Sequence, residues 1–328
     1  MIEQALFEHL KAQDALKPYL ATYNDAMAIF NQEAPGDTDA LWNKGPQYGR
    51  IVFAVDLQGD PERSMGGTLA VDIMCADDDY PPEEVEPIIR SLIHGYFFSS
   101  GTFAVAAQWK NSTYFTQPTD SVIGCTLTFD LLGFPVLTTS DPDIIARFNK
   151  WTSDTFPGIH VINHDTLPTS AWKPSPGESA AYWRLVTDSP AGWIPDTFQT
   201  VWRIAHLKCH IFAADNAAAL EATRNISTWL HINKRIMKEG ESPIMVNRRN
   251  NVDLAADPLR TGQLTVEATY GIIVRYAADT AIKEINYEAA QGPSGSVDAD
   301  YGFELREDGT LICTPPPSLS DEGVLSLE

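Results

Sequence analysis

The chain carries the same pattern twice. Arg50-Ile-Val-Phe-Ala-Val-Asp56 lines up with Tyr182-Trp-Arg-Leu-Val-Thr-Asp188, and Leu69-Ala-Val-Asp-Ile-Met-Cys75 with Arg203-Ile-Ala-His-Leu-Lys-Cys209. Further on, Leu127-Thr-Phe-Asp-Leu131 lines up with Leu264-Thr-Val-Glu-Ala268, and the opening helix near Leu6 with the stretch near Ile144 and Ile145. The spacing drifts slowly in one direction, as short loop insertions would produce. The shared order of elements carries more weight than the shared letters, and it predicts a tandem duplication of one α+β module.

A length of 328 residues points the same way. Single cores usually stop growing at roughly 250–300 residues, so two domains are expected before any motif is read. Hydrophobic content of 44% and eight Trp supply enough apolar surface for each half to bury a core. The predicted division is a first module at 1–137, a duplicate at 138–287 and a C-terminal extension at 288–328.

Within the first module, Ile2, Leu6, Leu10, Gln13 and Leu16 fall at helical spacing and predict a helix from about 2 to 17. Leu69, Val71, Ile73 and Cys75 fall on one face and Thr68 and Asp72 on the other, as in a strand buried on one face. The next helix should start at the Asp77–79 acids and Pro81-Pro82, with Val85, Ile88, Ile89 and Leu92 as its apolar stripe. The second module repeats the plan, with helices at 141–151 and 216–232 and strands at 183–187, 200–213, 244–246 and 263–276. Each module therefore reads α-β-β-α-β-β, a four-stranded, mainly antiparallel sheet with helices on one face. Residues 288–328 differ in composition and hold one small hairpin over 303–313 around Asp308-Gly309; the last dozen residues are expected to be mobile.

The formal charge of −21 argues against duplex binding, which needs clustered Lys and Arg to neutralise phosphates. An acidic surface can still face DNA that slides past without binding. The N-terminal Met1-Ile-Glu-Gln-Ala-Leu-Phe-Glu has neither the basic flank nor the apolar run of a signal peptide, and no segment approaches the roughly 20 apolar residues of a membrane span. The expectation is a chain made and kept soluble, with no membrane partner. Cys75, Cys125, Cys209 and Cys313 lack metal or disulfide spacing, and three of them sit in apolar strand patterns as small buried hydrophobes, which fits a reducing cytosol.

Candidate chemistry is sparse. His206 and His210 have the i, i+4 spacing that converges on one zinc from a helix, but the surrounding 200–213 alternates as a strand, where residues four apart lie roughly 13 Å apart. His160, His164 and Asp165 read as a polar loop, Asp77–79 as a helix N-terminus, and Ser64-Met-Gly-Gly67 as a turn rather than a phosphate cradle. No nucleotide, hydrolase or zinc-peptidase motif is present. No catalytic residue, metal ligand or cofactor is assigned. The basic pair Arg248 and Arg249 interrupts an acidic chain and is the best local candidate for a subunit or partner contact, meeting carboxylates of a neighbouring copy.

The Met1-Ile-Glu-Gln-Ala-Leu-Phe-Glu-His-Leu helix, followed by strands, helix and strands from 50 to 134, resembles the small tail-terminator and tail-completion proteins of tailed bacteriophages. The resemblance covers the first module more fully than the second, and leaves out the C-terminal segment. It implies a structural, non-enzymatic virion protein: a ring that ends the tail tube and joins it to the head connector, made in the host cytoplasm and incorporated in the tail. Family rings carry one module per subunit and are six-fold. Two modules per chain would give a trimer arranged as a pseudo-hexamer, with a hexamer as the alternative, around a lumen through which DNA passes without specific binding.

Other readings stay open on the sequence. A tail-tube, distal-tail or baseplate component would also use α+β modules in rings. An enzyme with its site between the modules is a separate class, as is a binding module using the repeat as a bivalent scaffold.

Overall fold

The computed structural model describes residues 2–42, 45–60, 62–63, 65–76, 80–100, 103–117, 121–135, 143–162, 171–192, 194, 200–236, 244–246, 250–273, 302–305 and 311–314. Two compact units divide the chain, Met1–Arg275 and Tyr276–Glu328.

The first unit opens with α1 (Ile2–Lys11), a ribbon of β1 (Thr22–Tyr23) and β2 (Ala26–Met27), then β3 (Ile29–Asn31), β4 (Arg50–Gln58) and β5 (Gly66–Ala76). After α2 (Pro82–Ile93) come β6 (Phe97–Ser99), β7 (Phe103–Gln117) and β8 (Val122–Pro135). The chain continues through α3 (Ile144–Thr155), β9 (Ile159–Val161), β10 (Ala171–Trp172), β11 (Ser179–Pro190) and β12 (Thr200–Ala213). It closes with α4 (Asn216–Asn233), β13 (Arg235–Ile236), β14 (Ile244–Val246), β15 (Asn251–Val252) and β16 (Leu264–Ile273). In the second unit, β17 (Gly302–Leu305) pairs antiparallel with β18 (Leu311–Thr314), Phe303 opposite Cys313, as the expected hairpin requires.

The protein is α+β, but its sheets are not four-stranded. One seven-stranded sheet runs β10-β6-β7-β8-β5-β4-β3, and a second runs β13-β14-β16-β12-β11-β9 with β15 also on β16. Both are mixed, because β3 lies parallel to β4 and β9 parallel to β11 while the remaining pairs are antiparallel. The extra strands are two or three residues long, too short for alternation to register in sequence. One of them, β10, reaches the first sheet from beyond α3.

Leaving β10 and β15 aside, the two strand orders match element for element, with the same place for the parallel strand and for each helix. Trp42 lies eleven residues past the end of β3, and Trp172 eleven past the end of β9.

Strand alternation sets up three cores. Val105 and Ala107 of β7 and Leu131 of β8 face a core with Leu6 and Leu10 of α1 and Val85, Ile89 and Ile93 of α2. Ala181 and Trp183 of β11 and Ile211 of β12 face another with Phe148 and Trp151 of α3 and Ile226 and Leu230 of α4. The intervening residues Ala104, Ala106, Phe134, Ala180, Tyr182 and Phe212 point the opposite way and meet in a third core between the sheets. Stretches such as 104–107 are buried on both faces, hence their unbroken apolar character, and 209–212 is buried on both faces with His210 as its one polar residue.

Helix boundaries follow local chemistry. The Asp143 carboxylate accepts from the amides of Ile145 and Ala146 at the start of α3, and that of Asp215 accepts from Ala218 at the start of α4. Both α1 and α3 depart from expectation by a few residues. The apolar spacing of Leu16 belongs to a 3₁₀ turn after α1 has ended, and Asp143 rather than Asp141 starts α3.

Candidate functional site

The most elaborate polar arrangement among the described residues lies at the junction of the two sheets. Arg63, in the turn between β4 and β5, is only 6% exposed. Its guanidinium donates to the carbonyl oxygens of Gly133 at 3.3 Å, of Arg260 at 2.7 Å, and of Leu259. It also lies 4.9 Å over the Phe134 ring. The cation is held by carbonyl dipoles and a π face, with Asp60 and Glu62 as more distant opposite charges. Burial, with Arg184 adding to it, lowers its pKa from the ordinary arginine value.

The receiving turn is built by Asp257, whose carboxylate accepts from the amides of Leu259 and Arg260 and from Gln108 Nε2 on β7 at 3.1 Å. Next to it, His210 is fully buried and bonds through Nδ1 to Pro258 O at 2.7 Å. A carbonyl only accepts, so Nδ1 carries the proton and Nε2 is a bare acceptor, buried without a hydrogen-bond partner among the described residues. Burial pulls the His210 pKa down to about 3, with Arg63, Arg184 and Lys208 acting in the same direction, so the ring is neutral at ordinary pH. Tyr182 donates to Pro135 O at 2.8 Å, and burial raises its phenol pKa. At the rim, Asp130 meets Arg260 and, at 3.4 Å, Lys110, while Arg184 meets Glu62 at 3.4 Å. Physically this is a clamp: donors from one sheet are satisfied by backbone from the other.

The residues singled out from sequence do not converge. His206 and His210 sit on a strand, as the alternation required, with His206 Nδ1 3.8 Å from Glu267 and His210 inside the junction. His160 lies on edge strand β9, 3.8 Å from Glu178 and near the Trp172 ring. Among the described residues no group of three His, Cys, Asp or Glu could hold a metal. Arg248 and Arg249, Asp77–79, His164, Asp165 and Ser64 lie outside the described residues. Arg63, Tyr182, Gln108 and Asp257 went unnoticed in sequence because each sits in a turn or strand with no motif around it.

Compared with protein-family models, characterised proteins and solved structures, the chain matches none of them. Among the described residues no helix is long and apolar enough to cross a membrane.

Proposed function

We propose that the chain is a structural protein of a phage tail, forming a ring that terminates the tail tube and joins it to the head connector. Its halves 1–137 and 138–287 are read as tandem copies of one module, so three chains present six quasi-equivalent units. The observation that carries this reading is the matched strand order of the two sheets, reinforced by the shared sequence spacing of Trp42 and Trp172 past β3 and β9. Such a pair of halves, clamped rigidly at one junction, suits an assembly part whose task is to hold a fixed angle between units. The acidic balance suits a lumen through which DNA passes, since like charge keeps a polyanion mobile.

Immunogold electron microscopy of lysates from the source cells tests the location. Label at the head–tail junction is the expected result. Label at the distal tip would transfer the protein to the baseplate, and tail particles without label would remove the virion reading.

A further inference from the structure

Within the chain, strand β6 is covered by a segment from the other half. Ala171 and Trp172 pair antiparallel with Phe98 and Phe97, the Trp172 ring lies 5.8 Å from Phe97, and Lys173 Nζ reaches His94 O at 3.3 Å. The matched element orders make β13 the counterpart of β6, since each follows the second helix of its half and borders the same strand. The equal spacing past β3 and β9 makes Leu41 and Trp42, in a 3₁₀ turn at Ala40–Trp42, the sequence counterparts of Ala171 and Trp172. Yet among the described residues β13 pairs only with β14, and none of them gives its outer edge such a cover.

The two unmatched surfaces complement each other. Around β13, Lys234 and Arg235 are exposed with no carboxylate partner among the described residues, and Ile232 is 71% exposed, the most of any large apolar side chain there. On the segment leading to Leu41, which is 43% exposed, Glu33, Asp37 and Asp39 are all exposed. Asp37 already holds Arg50, whereas Glu33 has no ion-pair partner among the described residues. Trp42 is buried at home against Tyr23 at 4.9 Å, so the docking face is Leu41 and the acids rather than the indole. Lys234 also ends α4 with φ of 54°, a left-handed conformation where glycine is the unstrained choice.

We infer that residues 232–235 of one copy bind the acidic 33–41 segment of a second copy, repeating between chains the cover that residues 171–173 give β6 within the chain. The contact is head-to-tail, so successive copies close into a ring when the rotation permits. It rests on the ring reading above and names the surface that builds the ring. Opposite charges bring together two chains that otherwise repel.

Native mass spectrometry and sedimentation velocity of the full chain test it. Wild type is expected to assemble, and Lys234→Glu/Arg235→Glu or Glu33→Lys/Asp37→Lys to weaken assembly at least about tenfold. All four changes in one chain restore the wild-type net charge and should restore assembly. Lys11→Glu/Lys17→Glu, the same charge change on exposed lysines at and beyond the end of α1, should leave it intact. Lys234→Gly should keep the melting temperature while weakening assembly, separating the contact from the fold. A wild type that stays monomeric at about 50 µM, well above the Kd of a standard interface, overturns the inference, as do reversals that change nothing or a four-fold variant no better than its parents. Tails that carry the protein at the junction while the reversals have no effect would sink this surface and leave the virion reading standing. Rings that obey the reversals but never label tails would do the opposite.

Discussion

The Arg63 guanidinium donates to the backbone carbonyl of Arg260 at 2.7 Å, across 197 positions of sequence and from one sheet to the other. The guanidinium is buried and the carbonyl partly so, and each replaces hydration the other has lost. Replacing Arg63 with Ala takes the donor from two buried carbonyls and a partly buried one, and is expected to cost roughly 3 kcal/mol. Arg63→Lys keeps the charge but not the planar fork, and should recover only part of that loss. Urea unfolding of the two variants beside wild type checks both, and equal midpoints for all three would remove the clamp.

Stability should fall as pH drops through the histidine range. His210 is held down to about 3 by burial, below its ordinary 6.5, so the unfolded chain binds a proton that the folded one refuses. That contribution is complete above about pH 6.5 and is lost on acidification, by about 2 kcal/mol between pH 7 and pH 5. His9 and His94 are lowered by burial too and add in the same direction. Denaturant midpoints at the two pH values give the slope. His210→Asn, which keeps a donor toward Pro258 without a titrating ring, should flatten it; an unchanged slope would assign the effect elsewhere.

How much of this could be read from sequence depended on length and polarity. The alternation of Leu69, Val71, Ile73 and Cys75 and the helical spacing of Val85, Ile89 and Leu92 located β5 and α2, because each pattern runs long enough to set a period. The tail of β7, Asn111 to Gln117, is polar and half exposed, so it reads as a loop although it pairs with β8 throughout. The short β3, β6 and β10 were hidden for lack of length, and with them the seven-stranded sheets. Arg63 was hidden because what holds it is backbone carbonyl, which every residue carries.

Gly133 is fixed by close approach rather than by a turn. A Cβ there would stand 2.1 Å from Met65 O, while its own amide donates to that oxygen at 3.0 Å and its carbonyl accepts from Arg63. Gly133→Ala must push β8 away from the Arg63 turn and is expected to destabilise by about 2–4 kcal/mol. Thermal melts check it, and a variant within 1 °C of wild type would show that the turn yields freely.

Cys75, Cys125 and Cys209 are buried. Burial pushes the Cys125 thiol up to about 11 and that of Cys209 higher than its ordinary value, so neither supplies thiolate at neutral pH. Iodoacetamide at pH 8 should leave both unmodified in the folded protein and alkylate them in denaturant, as peptide mass mapping would read. Rapid modification in the native state would contradict the packing of β8 and β12.

The central claim is that one chain supplies two quasi-equivalent units of a tail ring. The most direct measurement is the copy number and projected symmetry of the protein in isolated tails, from quantitative mass spectrometry and averaged end-on electron micrographs. The account predicts three copies per tail and six lobes of density at the head-proximal end. One or two copies, or a ring lacking six-fold pseudosymmetry, would contradict it.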